Sequence, residues 1–190
     1  MRSLAVAMVL LAGAARAADM GDESPRALSL AAGIGIASAE RRNGQDVEGR
    51  GAGAYAKAEY VFRPVHWFTP RLYAGTVLAP ADEGSCGAGV DACDVSAKIF
   101  FFGGKFRLMA PIPYVGPFIE LGIGGSIGRI TTRSGTQVDA TTKGLMYHVP
   151  FALGLALGER HQVDVTVQAL AHPEQKATCG GFALGVTLDL

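Results

Sequence analysis

The side chains with chemistry to offer are few, and their spacing limits what that chemistry is. Cys86, Cys93 and Cys179 are the three cysteines. A disulfide between Cys86 and Cys93 closes a small loop and leaves Cys179 free, and this is the favoured pairing. Cys179 bonded to either one would instead tie two loops together. A metal site built from these cysteines and His172 needs thiolates in an oxidising space, and the spacing follows no zinc pattern. No metal and no cofactor is expected. Covalent catalysis needs a nucleophile within hydrogen-bond reach of its base. Ser126 and His148 are the Ser/His candidates that fall on the inward face of neighbouring predicted strands, and a lone inward histidine more often belongs to a polar network. The Gly122-Ile123-Gly124-Gly125-Ser126 run is not followed by a helix, so it does not form a phosphate loop. The remaining group is ionic. Lys57, Glu59, Glu120, His148 and Asp164 share an inward face, and Lys98 joins them if the fourth strand turns it that way.

What positions these residues is a series of alternating segments, clearest in the last. From Phe182 to the final residue, Phe182, Leu184, Val186, Leu188 and Leu190 take one face, while Ala183, Gly185, Thr187 and Asp189 take the other. Side chains alternate faces along a strand, so this is one apolar face backed by a small, polar one. A closing strand needs a partner on both edges, and in a barrel the first strand supplies the second.

Met1 to about Ala17 has the parts of a secretory signal: Arg2, an apolar core from Leu4 to Ala14, and Ala15-Arg16-Ala17 as the small-x-small cleavage site. The expected division is a signal peptide over residues 1–18 and one barrel domain over 19–190. Losing Arg2 and Arg16 from 17 basic residues leaves 15 against 17 acidic, which gives no argument for nucleic acid. Glycine numbers 26 and charged residues make up 18%, which suits crowded strands and turns more than an ordinary soluble surface.

Eight strands follow in order, over about 27–38, 51–63, 69–78, 95–108, 115–130, 144–157, 162–171 and the closing segment from Cys179. In the fourth, Ile99 to Phe102 is continuously apolar and periodicity does not fix its face. The connections alternate long and short, with 39–50, 79–94 and 131–143 long and 64–68, 110–113 and 158–161 short. That rhythm fits a membrane barrel with short periplasmic turns and both termini on the periplasmic side. Tyr60, Phe62, Trp67, Phe68, Tyr114 and Phe118 gather near the short turns, where an interfacial aromatic girdle sits. The opposing reading is a soluble lipocalin-like barrel with its apolar face inward. Its wet face would then be mostly Gly, Ala, Ser and Thr, short of the roughly quarter to third of charged residues that a soluble surface carries.

The signal segment, eight alternating strands, loop rhythm and amphipathic closing strand together resemble the small outer-membrane barrels of OmpA, OmpX and OmpW type. The resemblance covers nearly the whole mature chain and is one of pattern. It implies an all-β, eight-stranded antiparallel up-and-down transmembrane barrel in the outer membrane of a Gram-negative-type envelope. Its implied partners are outer-membrane lipids and the barrel-assembly machinery. Such proteins usually end in Phe, and here Leu190 stands at that position. The role implied is non-enzymatic: structural, surface-interacting, or a narrow porin-like passage. The alternative within the class is a lipid A-modifying enzyme. Barrels of the hydrolase kind carry a His-x-Ser pair, and none of His66, His148, His161 or His172 has Ser two positions on.

Overall fold

A computed structural model describes residues 24–40, 48–65, 67–80, 93–134 and 137–190. The expected signal peptide, Cys86 and the side chain of Cys93 lie outside the described residues, and with them the expected disulfide.

Eight strands form: β1 Arg26–Glu40, β2 Glu48–Phe62, β3 Phe68–Ala79, β4 Cys93–Met109, β5 Val115–Ser134, β6 Gln137–Leu157, β7 Val163–His172 and β8 Ala177–Asp189. Each pairs antiparallel with the next, and β8 pairs with β1 from Ala27↔Asp189 to Ala39↔Ala177, closing the barrel. The closing strand therefore finds both partners, β7 and β1, and the barrel closes through it, while β6 from Gln137 to His148 pairs with β5 alone. Residues 131–143, expected as a polar loop, are instead largely strand, because β5 runs to Ser134 and β6 starts at Gln137. Thr131, Thr132, Val138, Thr141 and Thr142 are β-branched, and that local preference extends the hairpin beyond the point where the apolar alternation stops.

Parity sorts the chain into an outside and an inside. Ile34, Leu72, Phe100, Ile123, Leu145, Val167 and Phe182 are all exposed although large and apolar. In the fourth strand Ile99 and Phe101 point inward and Phe100 and Phe102 outward, which settles the face that periodicity left open. Lys98 is consequently outward and exposed, and it does not belong with the lumen charges. Of the expected aromatic girdle, Phe62, Trp67 and Tyr114 are exposed at the short-turn end. Phe118 is a correction: it shares parity with Glu120, so it points into the lumen and is 3% exposed.

The lumen has two zones. Near the long connections it is packed with Tyr55, Val77, Val95, Ile99, Phe101, Met146 and Leu170, with Tyr55 stacked on Phe101 at 5.8 Å between ring centres. Near the short turns it is ionic. Glycine is needed where a large side chain folds against the opposite wall. At Gly154 a Cβ would lie 2.3 Å from the Phe118 ring and 2.5 Å from the Val165 carbonyl oxygen. At the β6–β7 turn, Gly158 takes a φ of +96°, a conformation that costs other residues strain. Gly154→Ala should lower the urea midpoint of the refolded protein by the equivalent of about 1–3 kcal/mol; an unchanged midpoint would mean that the Phe118 packing is loose.

Candidate functional site

The ionic zone is assembled by strand register. Lys57 and Glu59 are two apart on β2 and so share the inner face, and the Lys57 Nζ–Glu59 Oε1 distance is 2.6 Å. On β3 and β4, Arg71 sits directly opposite Lys105. Like charges facing one another across strands repel, and the carboxylates offset this. Glu59 accepts from Arg71 at 2.8 Å and pairs with Lys105 Nζ at 2.6 Å. Lys105 also bonds Glu120, reaching it past Gly122, its register partner on β5, which has no side chain in the way.

Arg107 completes the chain of contacts. Its Nε donates to Glu120 at 2.8 Å, and its two terminal nitrogens donate to both oxygens of Asp164, at 3.0 and 2.8 Å. This fork-to-fork geometry is the strongest form of a carboxylate–guanidinium pair. The guanidinium also lies 3.5 Å from the centre of the Phe118 ring, a cation–π contact in a dry setting. Lys57 and Tyr55 both donate to Gln168 Oε1, at 3.1 and 2.8 Å, and so join the ions to the apolar zone above.

Among the described residues, the buried ions are four cations (Lys57, Arg71, Lys105, Arg107) and three anions (Glu59, Glu120, Asp164), each at most 6% exposed. Their positions on β2, β3, β4, β5 and β7 cross-link the barrel from the inside. Removing water from an ion costs several kcal/mol, so the cluster holds only because nearly every charge meets its opposite within hydrogen-bond distance. Arg71 has slack: one nitrogen serves Glu59, while its Nε is buried without a hydrogen bond.

His148 stands apart from the ions, in the upper zone. Its Nδ1 is 2.8 Å from Ser126 Oγ and its Nε2 2.7 Å from Tyr73 OH, while His172 Nε2 lies 3.0 Å from the same serine oxygen. Ser126 and His148 are therefore in the mutual reach that nucleophilic chemistry requires. Both are fully buried, however, and the second nitrogen of His148 is taken by a tyrosine hydroxyl where an orienting acid would sit. Gly124 leaves the room for this contact, since a Cβ there would fall 2.2 Å from Tyr73 OH. Cys179 is buried nearby as a free thiol. No group of three or more His, Cys, Asp or Glu among the described residues is placed to hold a metal.

Lys57, Glu59, Glu120 and Asp164 thus come together, and His148 does not join them. Sequence reasoning left Arg71, Lys105, Arg107 and Gln168 out of the lumen group and weighed His172 as a metal ligand. Two signals were present: Arg71 has the parity opposite to Leu72 and Ala74, and three inward carboxylates facing one lysine require more cations on other strands.

A closed antiparallel eight-stranded barrel with an apolar exterior and a packed polar lumen has the architecture of the small outer-membrane barrels. Its fold is that of the N-terminal β-barrel domain of OprF from Pseudomonas aeruginosa, with a TM-score of 0.52 and 9% identity, covering 88% of this chain and 100% of that one. It is also that of neisserial surface protein A, with a TM-score of 0.52 and 14% identity, covering 90% and 100%. Ail, the attachment invasion locus protein of Yersinia pestis, aligns at a TM-score of 0.47 and 15% identity over 87% and 99%. For the OprF barrel and neisserial surface protein A, at 9% and 14% identity, the likeness is one of fold. No family model and no curated protein matches the chain.

Glu120→Gln should strip Lys105 and Arg107 of a shared partner and destabilise the barrel by about 3–5 kcal/mol. Adding Lys105→Met should recover part of that loss by removing the stranded charge. Urea unfolding of the refolded single and double variants measures both, and a single variant as stable as the parent would show that the cluster is not what holds the walls.

Proposed function

We propose that the chain is a non-enzymatic integral outer-membrane protein of a Gram-negative-type envelope, sealed through its centre and working through its outer face and external hairpins. The observation that carries this reading is the buried seven-ion cluster, which fills the lumen at the short-turn end and ties five strands together. A polar passage would need those charges to face water, and here they face each other. Above the cluster, Tyr55, Phe101 and Met146 fill the remaining space. An eight-stranded barrel is in any case only wide enough for side chains to fill, so the porin-like option is the weaker one. On this reading residues 1–18 direct export and are removed, the barrel-assembly machinery inserts the domain, and the short turns face the periplasm. Cys86, in the external connection between β3 and β4, pairs with Cys93 at the start of β4.

A lipid A-modifying activity has one observation in its favour, the Ser126–His148 hydrogen bond. The full burial of both side chains argues for a polar clasp between β5 and β6, since a lipid ester outside the wall has no path to them.

Conductance in planar lipid bilayers tests the sealed reading. The inserted wild-type barrel should give no steady unitary current, and the variant Glu59→Ala/Arg71→Ala/Lys105→Ala should give discrete openings. A steady current through the wild-type barrel would return the protein to the porin-like class.

A further inference from the structure

We infer that Lys98, Arg129 and Lys143 form a binding row for the phosphate of an anionic lipid, on the outer wall near the long connections; this rests on the membrane reading above. Lys98 is the register partner of Arg129, and Arg129 of Lys143, so the three stand side by side on β4, β5 and β6. At a strand spacing of about 4.8 Å the row is roughly 10 Å wide. All three are exposed, and inward Ile99, Ile130 and Met146 fix their outward parity.

The next outward row below consists of Phe100, Ile127 and Leu145, again register partners, exposed by 51%, 50% and 73%. Charge therefore gives way to hydrocarbon surface within a single step. Twelve steps along β5 separate Ile127 from Val115, the exposed residue at the other end of the apolar face. At roughly 3.3 Å per step and a tilt of about 40°, that is on the order of 30 Å along the membrane normal, the thickness of a hydrocarbon core. The row thus falls at head-group depth in the leaflet on the side of the long connections.

Among the described residues nothing neutralises it. Among the described side chains, no acidic residue takes an outward strand position: Glu59, Glu120 and Asp164 are buried in the lumen, and Asp189 pairs with Arg63 at the opposite end. None of the three cations has an ion-pair partner among the described residues. Three like charges directly opposite one another destabilise a sheet unless an anion lies between them. A phosphate oxygen triad supplies that anion, with the arginine fork and two lysine point charges as donors. The acyl chains of the same molecule would lie on the Phe100–Ile127–Leu145 row, which a free phosphate has no means to use.

The test is equilibrium binding by the full refolded chain in neutral-detergent micelles. Its probes are diphosphoryl lipid A, phosphatidylcholine and inorganic phosphate. Wild-type protein should bind diphosphoryl lipid A over phosphatidylcholine, and added salt should weaken the binding. Lys98→Gln/Arg129→Gln/Lys143→Gln should weaken it at least about tenfold, while Lys176→Gln, an exposed lysine outside the row, should leave it unchanged. Arg129→Gln alone should give a smaller loss, which keeps the test open if the triple variant fails to fold. Undiminished binding by a folded variant, or equal binding of phosphatidylcholine, would overturn the row. Displacement of the lipid by an equal concentration of inorganic phosphate would overturn the lipid assignment. Insertion of the wild-type chain into phosphatidylcholine vesicles is scored separately, so failure of the membrane reading and failure of the row give different results.

Discussion

A charge enclosed in a barrel this narrow has no water to turn to, and most of the inner architecture follows from that constraint. The three buried carboxylates require cations at hydrogen-bond distance, and apart from Lys57, which shares β2 with Glu59, these lie on other strands: Glu59 reaches Arg71 and Lys105, and Asp164 on β7 holds Arg107. Each ion pair between strands is thereby also a tie between parts of the wall. The glycines that face inward give these long side chains room, and Phe118 is turned inward to roof the Arg107 guanidinium. The polar clasp of Ser126, His148, His172 and Tyr73 joins β5, β6, β7 and β3 higher up by neutral hydrogen bonds.

The outside is the complement. Hydrogen bonding along all eight strand pairs satisfies the backbone wherever a strand has both neighbours, which on the membrane reading is what allows strands to sit in hydrocarbon at all. On the membrane reading, large apolar side chains such as Ile123 and Leu145 then cost nothing by being exposed to acyl chains, whereas in water they would drive aggregation. The charges on the described strand exteriors are pushed to the ends, with Arg26 at one and the Lys98–Arg129–Lys143 row at the other.

Strand number, strand order and closure were legible in the sequence because period-2 alternation is a local signal repeated in nearly every segment. It failed where the signal itself fails. Ile99–Phe102 reads the same from either face, so Lys98 was left undecided and the adjoining Lys105 and Arg107 were not counted among the lumen charges. The hairpin past Ile130 carries threonines in place of an apolar face, and a reader looking for apolar alternation ends the strand too soon. Phe118 was placed by residue type near a turn, when the parity of Glu120 already put it inside. The partners of each ion were not legible at all. They depend on which side chains of strands far apart in the chain meet inside the barrel, such as Arg107 on β4 and Asp164 on β7.

The central claim is that the apolar face meets lipid and the ion-filled inside holds the barrel shut. Fractionation of cells, followed by electrophoresis of unboiled and boiled samples, tests it most directly. The account predicts that the protein stays with outer membranes and that boiling changes its mobility, because the closed barrel survives detergent until heat opens it. Recovery in the soluble periplasm with a single mobility would contradict the account and require the apolar face to be covered by something other than lipid.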